Sequence, residues 1–304
     1  MTYNYLINEA SSILKKYGIE NYKYDAQQLL LELEDLDMAS FICLCEKNLE
    51  DFLSDEEINN IIENYQELIS LRCERVPLQY IVGKTYFCGL EFLVSRDVLI
   101  PRIDTETLVE KFIEDNTNVN IDILDMCTGS GCIAIALSKL GNYRRIIGVD
   151  ISSKALNIAS QNAQNIIEDN SNDDELNKEV LFVQSDLYDN FKILEEKIGI
   201  SKFDYITCNP PYIKSKDINT LQDEVKKYEP KIALDGDIDG LKFYKKLAKD
   251  SKNFLKKNGK IYLEIGYDQA KDVISIFEKE NYIFVELVKD MEKRDRVIIM
   301  EKND

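Results

Sequence analysis

Asn209-Pro210-Pro211-Tyr212 places a carboxamide, two rings without an N–H and a phenol at one point of the chain. It follows Phe203-Asp204-Tyr205-Ile206-Thr207-Cys208, a short run that reads as a buried strand closed by turn residues. Each proline fixes its own φ near −65° and pushes the residue before it into an extended conformation. The turn therefore offers bare carbonyls and the Asn209 carboxamide beside an aromatic ring. Such a site suits a planar, NH-bearing substrate, whose protons the oxygens accept and whose flat group lies on the ring. A strand-ending turn of no special purpose is the plainer reading, and the four-residue string at a strand end argues against it.

A second constellation precedes it. Ile121 to Asp125 reads as a strand, Thr128-Gly129-Ser130-Gly131 as a glycine-rich turn after Cys127, and Cys132 to Leu140 as an apolar helix. A strand, a glycine turn and a helix N-terminus bring backbone N–H groups close to a ligand. The next strand, Arg145 to Asp150, ends in an acid 19 positions after Gly131, where ribose hydroxyls are met. Two cofactors share this geometry. The run from Gly129 to Ala134 formally fits the nicotinamide fingerprint, but that reading explains only Asp150 and leaves the Asn209 turn idle. S-adenosylmethionine carries no phosphate, so its carboxylate and amino group meet the turn instead. Asp125 is then expected to take the ammonium, Asp150 the ribose and Asp186 the adenine amine, three acids ending three successive strands. This is the favoured cofactor, and Asn209 borders its site.

The elements that position these residues alternate strand and helix from residue 121 onward, the signature of a doubly wound α/β domain. Val180 to Val183 is the third strand and the run ending before Asn209 the fourth. Ser152 caps the helix between the second and third, and Glu168 to Lys178 reads as a polar surface loop. A helix over 239–257, a strand Lys260 to Ile265, a helix over 267–279 and a closing pair of strands, Tyr282 to Val288 and Arg296 to Met300, complete the pattern. The insert 213–238 is expected to be a lid or substrate wall; over 213–235 it holds five lysines and five acids.

Ahead of this domain, residues 1–75 read as a small all-helical bundle. Leu6, Ala10, Ile13, Leu14 and Tyr17 recur at helical spacing, Ala26, Leu29, Leu30 and Leu33 form a second face, and Ser54 with Glu57 opens a third long helix. Residues 76–100 are a linker with a β-hairpin, from Val76 to Ile81 and from Phe87 to Phe92, with Gly89 at the turn. Residues 101–304 form the α/β domain, opened by a helix from Glu106 that Asp104 or Thr105 caps.

Composition narrows the function. The 304 residues contain no histidine, which removes Ser-His-Asp and Cys-His catalysis, and seven scattered cysteines without zinc-site spacing, so no metal site is expected. Reduced thiols in a cytoplasmic protein fit the cysteines, and no run is long enough to span a bilayer. With 38 basic and 56 acidic residues the net charge is −18, which argues against stable binding to nucleic acid. Residues 1–75 hold 6 basic and 16 acidic residues, a candidate docking surface for a basic protein.

Asn209-Pro210-Pro211-Tyr212 on this kind of fold resembles the motif of methyltransferases acting on planar nitrogens, among them DNA adenine-N6 methyltransferases. Further strings are similar to one branch, the peptide chain release factor glutamine methyltransferases (the HemK/PrmC family). They are Pro77-Leu78-Gln79-Tyr80-Ile81 with Gly83, Ile100-Pro101-Arg102 with Asp104-Thr105-Glu106, Glu229-Pro230 with Ala233-Leu234, Asp239 to Tyr244, Leu263-Glu264-Ile265-Gly266 and Asp295-Arg296-Val297. Cys127 departs from a usual glycine, Ile103 from a proline and Tyr228 from a histidine, and Leu187 stands at the adenine edge where an aromatic can occur.

The resemblance implies a Rossmann-like domain that binds S-adenosylmethionine through Asp125, Cys127, Thr128, Gly129, Ser130, Gly131, Asp150, Asp186, Leu187 and Asn209. It implies methylation of the glutamine in the Gly-Gly-Gln tripeptide of class-1 release factors, with Asn209, Pro210, Pro211 and Tyr212 holding the amide and Asn209, Pro210 and Tyr212 serving catalysis. A monomer is expected. The alternative is an adenine-N6 methyltransferase on DNA or RNA, which the Asn209 turn serves equally well and which the charge disfavours.

Overall fold

In a computed structural model the described residues are 1–141, 143–167, 179–191, 195–196 and 199–303, so the expected loop Glu168 to Lys178 lies outside them. The chain divides into two compact units, Met1–Gly83 with Gln222–Tyr228, and Lys84–Leu221 with Glu229–Asp304.

The first unit is helical: α1 (Tyr3–Lys16), α2 (Tyr22–Leu33), α3 (Met38–Leu44), α4 (Asp55–Cys73), α5 (Leu78–Val82) and a short helix Asp223–Tyr228. Ser54 and Glu57 form the full capping box of α4. Leu14, Ala26, Leu29 and Leu30 are fully buried against Ile58, Ile61, Tyr65 and Ile69. Ile13 and Tyr17, expected in the α1 stripe, are exposed. The core also holds a charge: Arg72 Nε donates to Asp25 at 2.7 Å, and Glu224 accepts from both Arg72 and Arg75. A buried guanidinium is tolerable only with such partners. Residues 222–228 of the expected insert thus belong to this unit.

The second unit starts with a hairpin, β1 (Lys84–Phe87) and β2 (Leu90–Leu93). Its two loop residues, Cys88 and Gly89, have φ of 50° and 74°, the left-handed pair that a two-residue hairpin requires. The expected first arm, Val76 to Ile81, is not a strand. Pro77 instead accepts the first bonds of α5, from Tyr80 and Ile81, and Gly83 closes that helix at φ 77°.

Among the described residues, seven strands form the central sheet: β3 (Asp122–Met126), β4 (Arg145–Asp150), β5 (Glu179–Gln184), β6 (Phe203–Cys208), β7 (Leu255–Glu264), β8 (Tyr282–Lys289) and β9 (Asp295–Lys302). Their order is β5-β4-β3-β6-β7-β9-β8, parallel from β5 to β7, with β9 antiparallel to both its neighbours. Helices α6 (Ile103–Asp115), α7 (Cys132–Gly141) and α8 (Ser153–Ile167) contribute to one core, with Phe112, Ile135 and Tyr143 buried there. Helices α9 (Lys242–Asp250) and α10 (Ala270–Lys279) contribute to the other, through Tyr244, Leu247, Val273 and Phe277. With both faces covered, the parallel strands read as near-continuous apolar runs. Ser152 caps α8 as expected, accepting from Ala155 N at 3.2 Å. The expected helix over 239–257 is shorter, because β7 begins at Leu255 and takes up its end. Helix α6 begins at Ile103, not Glu106, so Thr105 lies inside its first turn and is not its cap.

Among the described residues no helix is long and apolar enough to cross a membrane.

Candidate active site

The first strand of the doubly wound pattern, β3, lies between β4 and β6, so strand order reverses there. Ligands of open α/β sheets bind outside the strand ends at such a point. A cavity of about 550 Å³ lies there, and its wall includes Cys127, Gly129, Asp150, Asp186, Leu187, Asn209 and Pro211. That volume accommodates a cofactor-sized ligand.

The turn after β3 is shaped by backbone. Cys127, Gly129 and Gly131 have φ of 60°, 55° and 80°, a region that costs a residue with a Cβ about 1–2 kcal/mol. Gly131 has a second reason, since a Cβ there would come within 3.0 Å of Ile135 and 3.1 Å of Ala159 and Phe182. Gly148, opposite on β4, leaves room for Thr128, whose Oγ1 would stand 2.9 Å from a Cβ. Asp150 then ties the turn to the next strand. Its Oδ2 accepts from Gly129 N and its Oδ1 from Ser152 N, each at 2.9 Å. Burial pushes the Asp150 carboxyl up, against the pull of these backbone donors.

Asp125 occupies a different place from the one expected. It is fully buried, and its carboxylate accepts from Thr128 Oγ1 at 2.5 Å and from Thr207 Oγ1 at 2.8 Å. Thr207 is its direct partner across the β3–β6 ladder. Both Asp125 oxygens are thus taken by hydroxyls inside the fold. Burial pushes its carboxyl up to about 7, opposed by the two hydroxyls. It serves as the fastening between the glycine turn and β6. Thr128 and Ser130 are likewise buried, leaving the backbone and the Cys127 side of the turn to face the cavity. Asp186 is exposed on the opposite rim, 3.9 Å from Lys246, with Leu187 behind it at φ 48°.

The turn after β6 is held by side chains from elsewhere. Asn209 Nδ2 donates to Thr105 Oγ1 of α6 at 3.2 Å, and among the described residues no hydrogen bond takes up Asn209 Oδ1. Tyr212 donates its phenol to Glu264 Oε1 at 3.3 Å, at the end of β7. Burial and that carboxylate push the phenol up. Gln269 accepts from Gly266 N and donates to the carbonyls of Tyr212 and Gly240. Pro210 and Tyr212 stand outside the cavity wall, behind Asn209 and Pro211.

Glu264 is 1% exposed. Burial pushes its carboxyl up to about 7, opposed by Thr105, Arg296 and Tyr212. Arg296 on β9 shares its charge with Asp104 and Asp290, each at 3.0 Å.

Three residues read as a helix start therefore each reach a separate partner. Asp104 meets Arg296, Thr105 meets Asn209, and Glu106 accepts from Cys88 N in the hairpin turn at 2.7 Å. Arg102 pairs with the buried Glu229, which joins the strings around Pro101 and Pro230. The flanks of the insert, at Ser215 and from Pro230 to Asp237, contribute to the cavity wall. Sequence reasoning missed Thr105, Glu264 and Gln269 as supports of the Asn209 turn. The available signal was that Thr105 and Glu264 lie in strings that carry the resemblance, Asp104-Thr105-Glu106 and Leu263 to Gly266.

Residues 5–83 match the model of the PrmC N-terminal domain, and residues 102–238 that of the methyltransferase small domain. The chain is 43% identical over 242 residues to the Release factor glutamine methyltransferase of Thermodesulfovibrio yellowstonii, covering 78% of this chain and 81% of that one. It is 39% identical over 298 residues to that of Clostridium botulinum, covering 98% of each. To that of Clostridium acetobutylicum it is 36% identical over 293 residues, covering 96% of this chain and 95% of the relative.

Proposed function

The chain belongs to the release factor glutamine methyltransferases, and from that premise we propose that it transfers a methyl group from S-adenosylmethionine to N5 of a glutamine, the one in the Gly-Gly-Gln tripeptide of class-1 release factors. The observation that carries this reading is the meeting of two turns at one cavity, a glycine turn with Asp150 and a carboxamide turn at Asn209.

The residues present fit the cofactor. The left-handed backbone at Gly129 and Gly131 opens a cradle, and a Cβ at Gly131 would press on the side chains behind it. Asp150 keeps acceptor capacity beyond its two backbone bonds for ribose hydroxyls. Asp186 and Leu187 suit the adenine edge and face. Asp125 holds the turn through Thr128 and is revised from a ligand to a support. When bound, S-adenosylmethionine supplies an electrophilic methyl group on a sulfonium sulfur.

The chain's own task is to aim a poor nucleophile. An amide lone pair is delocalised, and twisting it out of conjugation costs on the order of 18–20 kcal/mol for a peptide bond. Asn209 Oδ1 and the Pro210 carbonyl accept the two N–H bonds of the glutamine amide, which orients the nitrogen and favours positive charge building on it. Tyr212 backs the turn. Positioning of this kind supplies roughly 7–11 kcal/mol and one well-placed polar group about 3–4. After transfer the nitrogen is strongly acidic, and water or a carbonyl takes its proton. No histidine is needed. The acidic helical unit is assigned to docking the protein substrate.

The test offers S-adenosylmethionine with a labelled methyl group to a release factor, its Gly-Gly-Gln Gln→Glu variant and DNA in parallel. Label on the intact release factor alone is expected. Label on DNA would keep the chemistry of the Asn209 turn and overturn the substrate.

A further inference from the structure

Thr105 is 2% exposed in the first turn of α6, and its hydroxyl oxygen accepts from Asn209 Nδ2. A threonine hydroxyl that accepts one bond still has a proton to donate. The Glu264 carboxylate faces that hydroxyl from the end of β7. Its Oε1 takes the Tyr212 phenol, and its Oε2 has no hydrogen-bond partner among the described residues. A buried oxygen without a partner is unfavourable and draws any donor within reach. The other groups that face Glu264 are committed or ill suited. Arg296 is bonded to Asp104 and Asp290, Tyr244 donates to the Glu264 carbonyl at 2.9 Å, and Cys208 offers only a weak thiol donor.

From these placements we propose that Thr105 and Glu264 are positioning residues that decide which end of the Asn209 carboxamide meets the acceptor amide. Glu264, able only to accept when ionised, draws the Thr105 proton. The Thr105 oxygen is thereby kept an acceptor, Nδ2 of Asn209 stays turned to α6, and Oδ1 is the atom offered to the cavity. Turned over, the carboxamide would present N–H donors to an amide nitrogen that also carries N–H donors. Neither residue touches the substrate; both act through Asn209. The inference rests on the acceptor role proposed for Asn209 above.

Thr105→Val keeps the side-chain shape and removes the hydroxyl, whereas Thr105→Ser keeps the hydroxyl. On a release factor, T105V is expected to lower kcat about 30–100-fold while the cofactor Kd moves less than about twofold. T105S recovers kcat to within about threefold, and Glu264→Gln lowers it about tenfold at unchanged cofactor affinity. A second readout needs no substrate: in protein labelled with ¹⁵N at asparagine, Asn209 Nδ2 proton exchange is at least about tenfold faster in T105V than in wild type or T105S. Turnover by T105V within about threefold of wild type, or Asn209 exchange unmoved by it, overturns the inference. A wild-type protein that leaves release factors unmethylated defeats the functional reading instead, and the exchange measurement still decides the positioning.

Discussion

The turns at 127–131 and 209–212 leave neighbouring parallel strands and border one cavity, yet they are built in opposite ways. The first is held directly by partners nearer in sequence and reaches Thr207 only through Asp125. Thr128 reaches Asp125, 3 positions away, and Gly129 reaches Asp150, 21 positions away. Its shape comes from positive φ angles and backbone N–H groups. The second has prolines that donate nothing, and its supports come from 104, 52 and 57 positions away, at Thr105, Glu264 and Gln269. A site for an invariant cofactor can be made by a short stretch of backbone. A site that must aim one lone pair draws on three separate elements.

The largest expected effect breaks the second turn. Asn209→Ala should lower kcat by a factor on the order of 10²–10³ while calorimetry finds cofactor binding retained. Equal turnover would remove Asn209 from the mechanism. The next breaks the first turn. Asp150→Ala takes away the partner of Gly129 and Ser152 together with the proposed ribose contact, and cofactor affinity should fall about 10–100-fold.

A pH measurement sharpens the contrast. The Glu264 carboxyl is raised from 4.5 to about 7 in the folded state, so the native protein holds a proton that the unfolded chain releases. The sign follows: its contribution to stability is fully present below the unfolded value and is lost as pH rises to about 7. Relative to Glu264→Gln, the wild-type melting temperature should therefore decline across that window and then level off. Asp125 is raised in the same sense and is common to both proteins, so it cancels from the difference. A difference that stays flat with pH would mean that folding leaves the Glu264 carboxyl unshifted. The smallest effect concerns Cys127, a side chain at φ 60°. Cys127→Gly should relieve up to about 1 kcal/mol of backbone strain, seen as a small rise in melting temperature with little change in cofactor affinity.

The same contrast governs what could be read from the sequence. The glycine turn, Asp150, the order of strands and helices and the Asn209 turn itself are local patterns, and each lies where its pattern indicated. Thr105 reads locally as a helix cap because hydroxyls usually are caps, and only β6 arriving beside α6 gives it another partner. Glu264 looks like the polar end of an apolar strand until Tyr212 and Thr105 close on it. Asp125 shows the same limit: strand periodicity locates the residue, but Thr207 across the ladder decides where its carboxylate is bound. Pro77 misled in the other direction. Its disfavour of helix applies to the residue before it, and α5 starts on the residue after.

Strand β9, the last of the seven in sequence, is slotted between β7 and β8. Until residues 295–302 join, β7 has an open edge and no ladder partner on that side. The missing strand also brings Arg296, the guanidinium beside Glu264 and Asp104. During synthesis, strands β3 to β8 all precede the residue that places a guanidinium beside Glu264. A sheet without β9 would expose an unpaired β7 edge, which β9 covers. The central sheet is therefore closed by the strand that comes last in sequence among the described residues.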